Sequence, residues 1–210
     1  MALLPTPLIG TKTDPTIAAN APANTIKKII QDEYMKCVID PVHFMSKYCF
    51  IQHPVRGKIP FVLYSFQKDV LNEFKNNDYN VVLKSRQLGI STLVAGYSLW
   101  LMMFNQDKSV LVIATKQDVA KNLVTKVRVM QQNLPSWLKN QCVEDNKLSL
   151  RFKNGSQIKA ISSSPEAGRS ESLSLLILDE CLAGSSYVQI RNKKTLEIQK
   201  ISIEELYGSL

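Results

Sequence analysis

Apolar residues fall into a few clear periods along the chain. Ile26, Ile29, Ile30 and Tyr34 open a helical spacing, and Tyr64 to Phe74 resumes it. Between them, Asp40 to Pro60 reads as an irregular lead-in packed on a core, broken by Pro41, Pro54 and Pro60. The centre is sharper. Asn80 to Lys84 reads as a short β-branched strand, Leu88 and Gly89 as a turn, and Ile90 to Phe104 as a helix apolar enough to be buried. Val110 to Ala114 is a fully apolar strand, and Gln117 to about Asn133 a helix that stops near Pro135. Alternating strands and helices predict the α/β class with a parallel sheet. Leu148 to Phe152 and Gln157 to Ile161 flank Asn154-Gly155, the favoured pair of a type I′ turn, which predicts a hairpin. Leu173 to Leu178 is a last strand, expected to be buried, that runs straight into Asp179 and Glu180.

After Glu180 the pattern changes. Cys181 to Arg191 alternates like a half-buried strand, Asn192 to Lys194 supplies a turn, and Thr195 to Ile201 alternates again. Ser202 and Glu205 form a capping-box pair opening a short helix, Ile203 to Tyr207. A β-hairpin is out of place where a wound sheet calls for a loop and helix, so a second module is expected to begin at Cys181. The division is therefore 1–24 as a loose arm rich in Pro, Ala and Thr, 25–180 as the main domain, and 181–210 as the appended module.

The 210 residues are enough to bury a core without disulfide staples. The longest apolar run, Leu99 to Phe104, falls far short of the roughly 20 residues of a membrane-spanning helix. Pro5, Pro7, Pro15 and Pro22 break up the first residues, so no secretory signal is expected. Cys37, Cys49, Cys142 and Cys181 contain no C-x-x-C pair, which points away from zinc and towards a reducing cytosol. A net charge of +8 is compatible with a polyanionic partner such as DNA.

Lys84-Ser-Arg-Gln-Leu-Gly-Ile-Ser-Thr92 lies between strand and helix, where backbone N–H groups and the helix dipole cradle phosphate. Against the pattern G-x-x-x-x-G-K-[ST], Gly89 takes the second glycine and Ser91 the hydroxyl that ligates Mg²⁺. Lys84 stands in place of the first glycine and Ile90 in place of the lysine. The cation for phosphate must then come from Lys84 or Arg86. Leu175-Leu-Ile-Leu-Asp-Glu180 has four aliphatics before two acids, the Walker B pattern, in which the first acid holds Mg²⁺ and the second orients the attacking water. Gln67 carries the paired donor and acceptor that can read an adenine edge. The bland alternatives are an ordinary turn, a solvated strand end and a surface glutamine.

Tyr64-Ser-Phe-Gln-Lys-Asp-Val, the loop Ser85-Arg-Gln-Leu-Gly-Ile-Ser-Thr and Leu-Ile-Leu-Asp-Glu180 together resemble the N-terminal ATPase part of the large terminase subunit of T4-like tailed bacteriophages, over roughly residues 30 to 180. The resemblance implies an incomplete P-loop (ASCE) parallel sheet and a motor that uses ATP and Mg²⁺ to drive duplex DNA into a prohead. Its partners would be the small terminase subunit and the portal, in the cytoplasm of the bacterial host. By the same resemblance Gln67 contacts adenine, and Lys84, Ser85, Arg86, Gln87, Leu88, Gly89, Ile90, Ser91 and Thr92 bind phosphate. Arg86 acts as a cis arginine finger with Lys84 beside it, Ser91 and Asp179 hold Mg²⁺, and Glu180 is the catalytic carboxylate. No nuclease carboxylate cluster can be assembled from the acids after Glu180, so nuclease activity is not expected of this chain.

Cys181-Leu-Ala-Gly-Ser-Ser-Tyr-Val-Gln-Ile resembles the opening block of an intein, and Glu197 to Tyr207 the strand and short helix that follow it. A cysteine there can attack the preceding carbonyl and turn the Glu180–Cys181 peptide into a thioester. Both histidines, His43 and His53, lie upstream, and no terminal asparagine is present. The resemblance therefore implies the short N-fragment (Hint-type) of an atypically split intein. Its partner would be a complementary chain carrying the C-intein and the rest of the terminase, and trans-splicing would produce the active motor. Three readings remain open on sequence: this precursor, a stand-alone nucleotide hydrolase whose Cys181 is a buried thiol, and a truncated, non-catalytic basic DNA-binding fragment.

Overall fold

Helix Ile90–Phe104 (α4) organises the main domain, because it is apolar on all sides and has to be enclosed. A computed structural model describes residues 23–163, 172–179, 187–191 and 197–202, together with residues 185, 195, 204 and 205. Before α4 come helices Ala23–Ile39 (α1), Pro41–Tyr48 (α2) and Ser65–Asn76 (α3), with strands Phe50–His53 (β1) and Gly57–Pro60 (β2) between α2 and α3. After it come strand Ser109–Ala114 (β3), helix Gln117–Gln132 (α5), and strands Cys142–Asp145 (β4), Ser149–Phe152 (β5), Gln157–Ser162 (β6) and Leu175–Asp179 (β7). Tyr187–Arg191 (β8) and Ile198–Ser202 (β9) form a separate antiparallel pair.

The main sheet has the order β4-β5-β6-β3-β7. It is mixed, which corrects the expected parallel sheet: β3 runs parallel to β6 and β7, while β5 and β4 add on antiparallel. The cause is local, since a hairpin feeds β6 where a wholly wound sheet would use a helix. β3 is central, with strands on both sides, and Val110 to Ala114 are all buried.

Neighbouring helices pin α4 along its length. Trp100 donates its indole N–H to the Cys37 carbonyl of α1 at 2.8 Å, and the Tyr97 hydroxyl donates to the Phe74 carbonyl of α3 at 3.1 Å. Gly96 admits α2, for a Cβ there would lie 2.2 Å from Met45 Sδ. At its C-terminus the last carbonyls have no helical partner. Asn154 donates to the carbonyls of Met102 and Asn105 at 2.8 and 2.9 Å, and Asn140 donates to that of Met103 at 3.0 Å.

Four expectations need correction. Asn80 to Lys84 is not a strand: it has no regular structure, is exposed and lies outside the described sheet. Its β-branched residues favour a strand, but among the described strands none is bonded to it. The last strand is not fully buried, since Leu176 and Leu178 are each 48% exposed. β7 is an edge strand, and that face is uncovered among the described residues. The lead-in is more regular than its prolines suggested. Pro41 is the first residue of α2, capped by the Asp40 carboxylate, which accepts from the Val42 N–H at 2.8 Å, and β1 and β2 form a hairpin. The Asn154-Gly155 turn is a three-residue loop with only Gly155 left-handed (φ +82°), not type I′.

Three other expectations fall as follows. β8 lies within the first alternating stretch and β9 overlaps the second, running one residue past it to Ser202, and Ser202 and Glu205 exchange the reciprocal bonds of a capping box at 3.0 and 3.1 Å. Residues 1–22, and with them nearly all of the expected arm, lie outside the described residues. No described helix is long and apolar enough to cross a membrane.

One ion network ties α1 to α2. Glu33 accepts from His43 Nε2 at 2.6 Å, Lys47 Nζ at 2.5 Å and the Tyr48 hydroxyl at 2.9 Å. Cys37 completes a donor set with Glu33 and His43, all within 4.8 Å of one another. Burial pushes its thiol up to about 12, and three donors already take up the Glu33 carboxylate, so the set fits an ion network better than a metal site. At Glu33, burial works to raise the carboxyl, but the bonds from Lys47, His43 and Tyr48 outweigh it and hold the group at about 2, against an ordinary 4.5. A carboxyl lowered in this way favours the fold fully above about pH 4.5 and loses that contribution as pH falls towards 2. Glu33→Gln is expected to cost about 2 kcal/mol at pH 7 in urea denaturation. The gap from the native chain should close between pH 4.5 and 2.

Candidate functional site

The loop before α4 is held from below by Gln67, which is 2% exposed on the first turn of α3. Its Oε1 accepts from the Tyr64 N–H at 3.1 Å, and its Nε2 donates to the Leu88 carbonyl at 3.0 Å. Gly89 sits above it in the left-handed region (φ +73°), where a Cβ would lie 2.9 Å from Gln67 Nε2. Two constraints therefore demand glycine here, the backbone angle and the close approach. Gln87 is also left-handed, at φ +64°, a conformation that costs free energy in a residue with a side chain. The Gly89 carbonyl accepts from the N–H groups of Thr92 and Leu93 at 3.1 and 2.9 Å, which starts α4.

Residues distant in sequence meet at that helix end. The Ser91 hydroxyl donates to Asp179 Oδ2 at 3.3 Å, and Lys84 Nζ lies 4.0 Å from Asp179 Oδ1. Asp179 ends β7, so strand, helix and the segment before the loop bring a carboxylate, a hydroxyl and an ammonium to one point. Ser85, Arg86, Gln87 and Leu88 are exposed on the loop and Thr92 is half-buried in the first turn. Ile90, in place of the usual lysine, is buried at 7% exposure. Glu180 and Cys181 lie outside the described residues.

The family model for the ATPase domain of the phage terminase large subunit gpA matches residues 54–189, about two thirds of the chain. The chain belongs to that family. It also matches the crystal structure of the HK97 bacteriophage large terminase with a TM-score of 0.55 and 22% identity, over 68% of this chain. At that identity the match speaks to the fold alone. The chain spans about a third of that terminase, 31% of its length.

Within this terminase ATPase domain, hydroxyl and carboxylate oxygens side by side suit a hard divalent cation such as Mg²⁺. The first N–H groups of α4 open onto the same end and suit phosphate. Sequence reasoning missed Lys126 of α5. Burial pushes this ammonium down from its ordinary value, the Asp179 charge opposes that shift, and Lys84 adds to it. Lys126 thus belongs to the same field as Lys84 and Asp179. The available signal was a lysine three residues from Leu123 and four from Met130 on the inward face of α5.

Gly89→Ala is expected to destabilise the chain by about 1–2 kcal/mol and to weaken binding of a fluorescent ATP analogue by at least about tenfold. Glycine at Gln87, relieving the left-handed strain, should leave binding within about threefold of the native chain.

Proposed function

We propose that this chain is the ATP-hydrolysing part of a DNA-packaging motor. The observation that carries the reading is the meeting of Lys84, Ser91 and Asp179 where α4 begins and β7 ends. In this reading the loop from Lys84 to Thr92 wraps the phosphates of ATP, its N–H groups pointing at the anion. Ser91 and Asp179 hold Mg²⁺, which when bound neutralises charge on the phosphate oxygens. Lys84, Arg86 and Lys126 supply the positive charge that Ile90 cannot. Glu180 orients a water and takes its proton as the water attacks the γ-phosphorus and ADP leaves.

Gln67 serves as a positioning residue that fixes Leu88 and so the loop. Direct contact with adenine requires its amide to leave Tyr64 or Leu88. Duplex DNA, the portal and the small terminase subunit are the partners in this reading, consistent with membership of the large-subunit family. Assignment to the T4-like branch rests on the motif residues alone.

Processing is the second part of the proposal. Cys181 attacks the Glu180 carbonyl, its sulfur replaces the amide nitrogen, and the acyl chain passes as a thioester to a complementary chain that brings the C-intein and the remaining terminase. The β8–β9 pair and the capping box after it support a small β module beyond the ATPase acids. A second reading has its own support. The family match continues to residue 189, which favours an uninterrupted ATPase in which Cys181 is an ordinary thiol.

Intact mass spectrometry separates them. Trans-splicing predicts a ligated product whose first part ends at Glu180 when the complementary chain is added, and none with Cys181→Ala. An unchanged mass in both, with ATP turnover by this chain alone, supports the uninterrupted reading. In either form of the active protein, Asp179→Asn is expected to lower ATP turnover by at least about a hundredfold.

A further inference from the structure

Of the three cations that the proposed site uses, Lys126 alone comes from outside the phosphate loop, from the middle of α5. Two cavities show how α5 meets the start of α4. The larger, of about 370 Å³, is lined by Leu123 together with Ser91 and Asp179. The smaller, of about 110 Å³, is lined by Lys126 and Thr125 together with Thr92 and with Phe50 and Ile51 of β1. Leu123 and Lys126 stand three residues apart and share one face of α5. Ser91 and Thr92 are successive residues in the first turn of α4. That face of α5 therefore lies against the phosphate end of α4, with Lys126 on the Thr92 side.

Lys126 is short of an anion. It is half-buried, and it forms no hydrogen bond or ion pair with a described residue. The attraction of Asp179 and the repulsion of Lys84 reach it only through space. Its cavity is walled largely by Phe50, Ile51, Val129 and Met130, which offer nothing to an ammonium. Taking a charge out of water without a partner costs free energy, so an arriving anion is favoured there beyond what its own charge brings to an exposed lysine. The Thr125 hydroxyl does not compete for one, because it donates to the Lys121 carbonyl at 3.0 Å.

We infer that Lys126 binds the terminal phosphate of a nucleoside triphosphate and is the residue by which the site tells ATP from ADP. The inference deepens the nucleotide reading and rests on it. A metal on Ser91 and Asp179 would bridge the last two phosphates, so a cation in the field of Asp179 stands beside the end of the phosphate chain. The third phosphate brings the extra negative charge that separates ATP from ADP, and Lys126 meets it from the side of α5, opposite no part of the loop. Because Thr92 lines the same cavity, the ammonium reaches the phosphates across the first turn of α4, and the cavity gives its four-carbon stem room to swing without moving the helix.

The test is isothermal titration calorimetry of the full chain and two variants with the non-hydrolysable ATP analogue AMP-PNP and with ADP, each with Mg²⁺, beside thermal unfolding without nucleotide. Lys126→Met keeps an unbranched apolar stem in the cavity and removes the charge. It is expected to weaken AMP-PNP by at least about tenfold and to leave ADP within about threefold of the native chain. It should unfold no lower than the native chain, because an unpartnered half-buried charge has gone. Lys126→Arg keeps the charge, and the cavity has room for it, so AMP-PNP affinity should return to within about threefold of native. Equal weakening of both nucleotides by Lys126→Met, or none, overturns the assignment to the terminal phosphate and leaves the nucleotide site standing. A lower unfolding temperature with an unchanged ratio of the two affinities makes Lys126 a packing residue and overturns it as well. A native chain that binds neither nucleotide overturns the reading of the site and this inference with it.

Discussion

Enclosure of α4 is the constraint on which the rest of the domain depends. A helix carrying Leu93, Leu99, Trp100, Met102 and Met103 has no face to offer water. Fully burying each such side chain is worth about 1.5–3 kcal/mol, so the helices that cover it gain stability by doing so. Because α1, α2 and α3 hold the helix along its length, its N-terminus is fixed too, and the phosphate loop inherits that position. Gln67 then shapes the loop from beneath, and β7 brings Asp179 up to Ser91. Chemistry at the helix end is therefore a consequence of packing along its length.

The most apolar and most periodic stretches were legible from sequence. Ile90–Phe104 has the bounds its pattern implies, and β3, α5 and the β5–β6 hairpin lie close to where they were expected. What escaped depends on partners distant in sequence or on small capping details. Pro41 looks like a breaker until Asp40 is seen as the cap that makes it a first helical residue. β4 is short, polar and irregular in register at Cys142 and Glu144, and has no periodicity to detect. Asn80–Lys84 has the composition of a strand, but pairing belongs to the neighbour as well.

At the site, the motif patterns and the resemblance put Ser91 and Asp179 in one reading, and the two side chains lie 3.3 Å apart. The Lys84–Asp179 approach was not visible in the sequence, because it depends on how the segment before the phosphate loop lies beside β7. Lys126 was hidden for another reason. Its charge enters from the side of α5, outside any motif centred on the loop, and only the fold brings that helix against the strand ends.

The asparagine that caps α4 bears on how the protein ages. Asn-Gly is the dipeptide most prone to deamidation, through attack of the glycine nitrogen on the side-chain carbonyl carbon. Here the Asn154 amide group is held by two helix carbonyls and its oxygen accepts from the Ser156 N–H at 3.1 Å, so the side chain is not free to swing into the reactive geometry. Folding thus shields the bond chemically. Once a molecule unfolds long enough to deamidate, refolding sets a new carboxylate against the carbonyls it used to satisfy, at the negative end of the helix dipole. Damage at this residue converts a passing excursion into a lasting loss of the core helix's anchor.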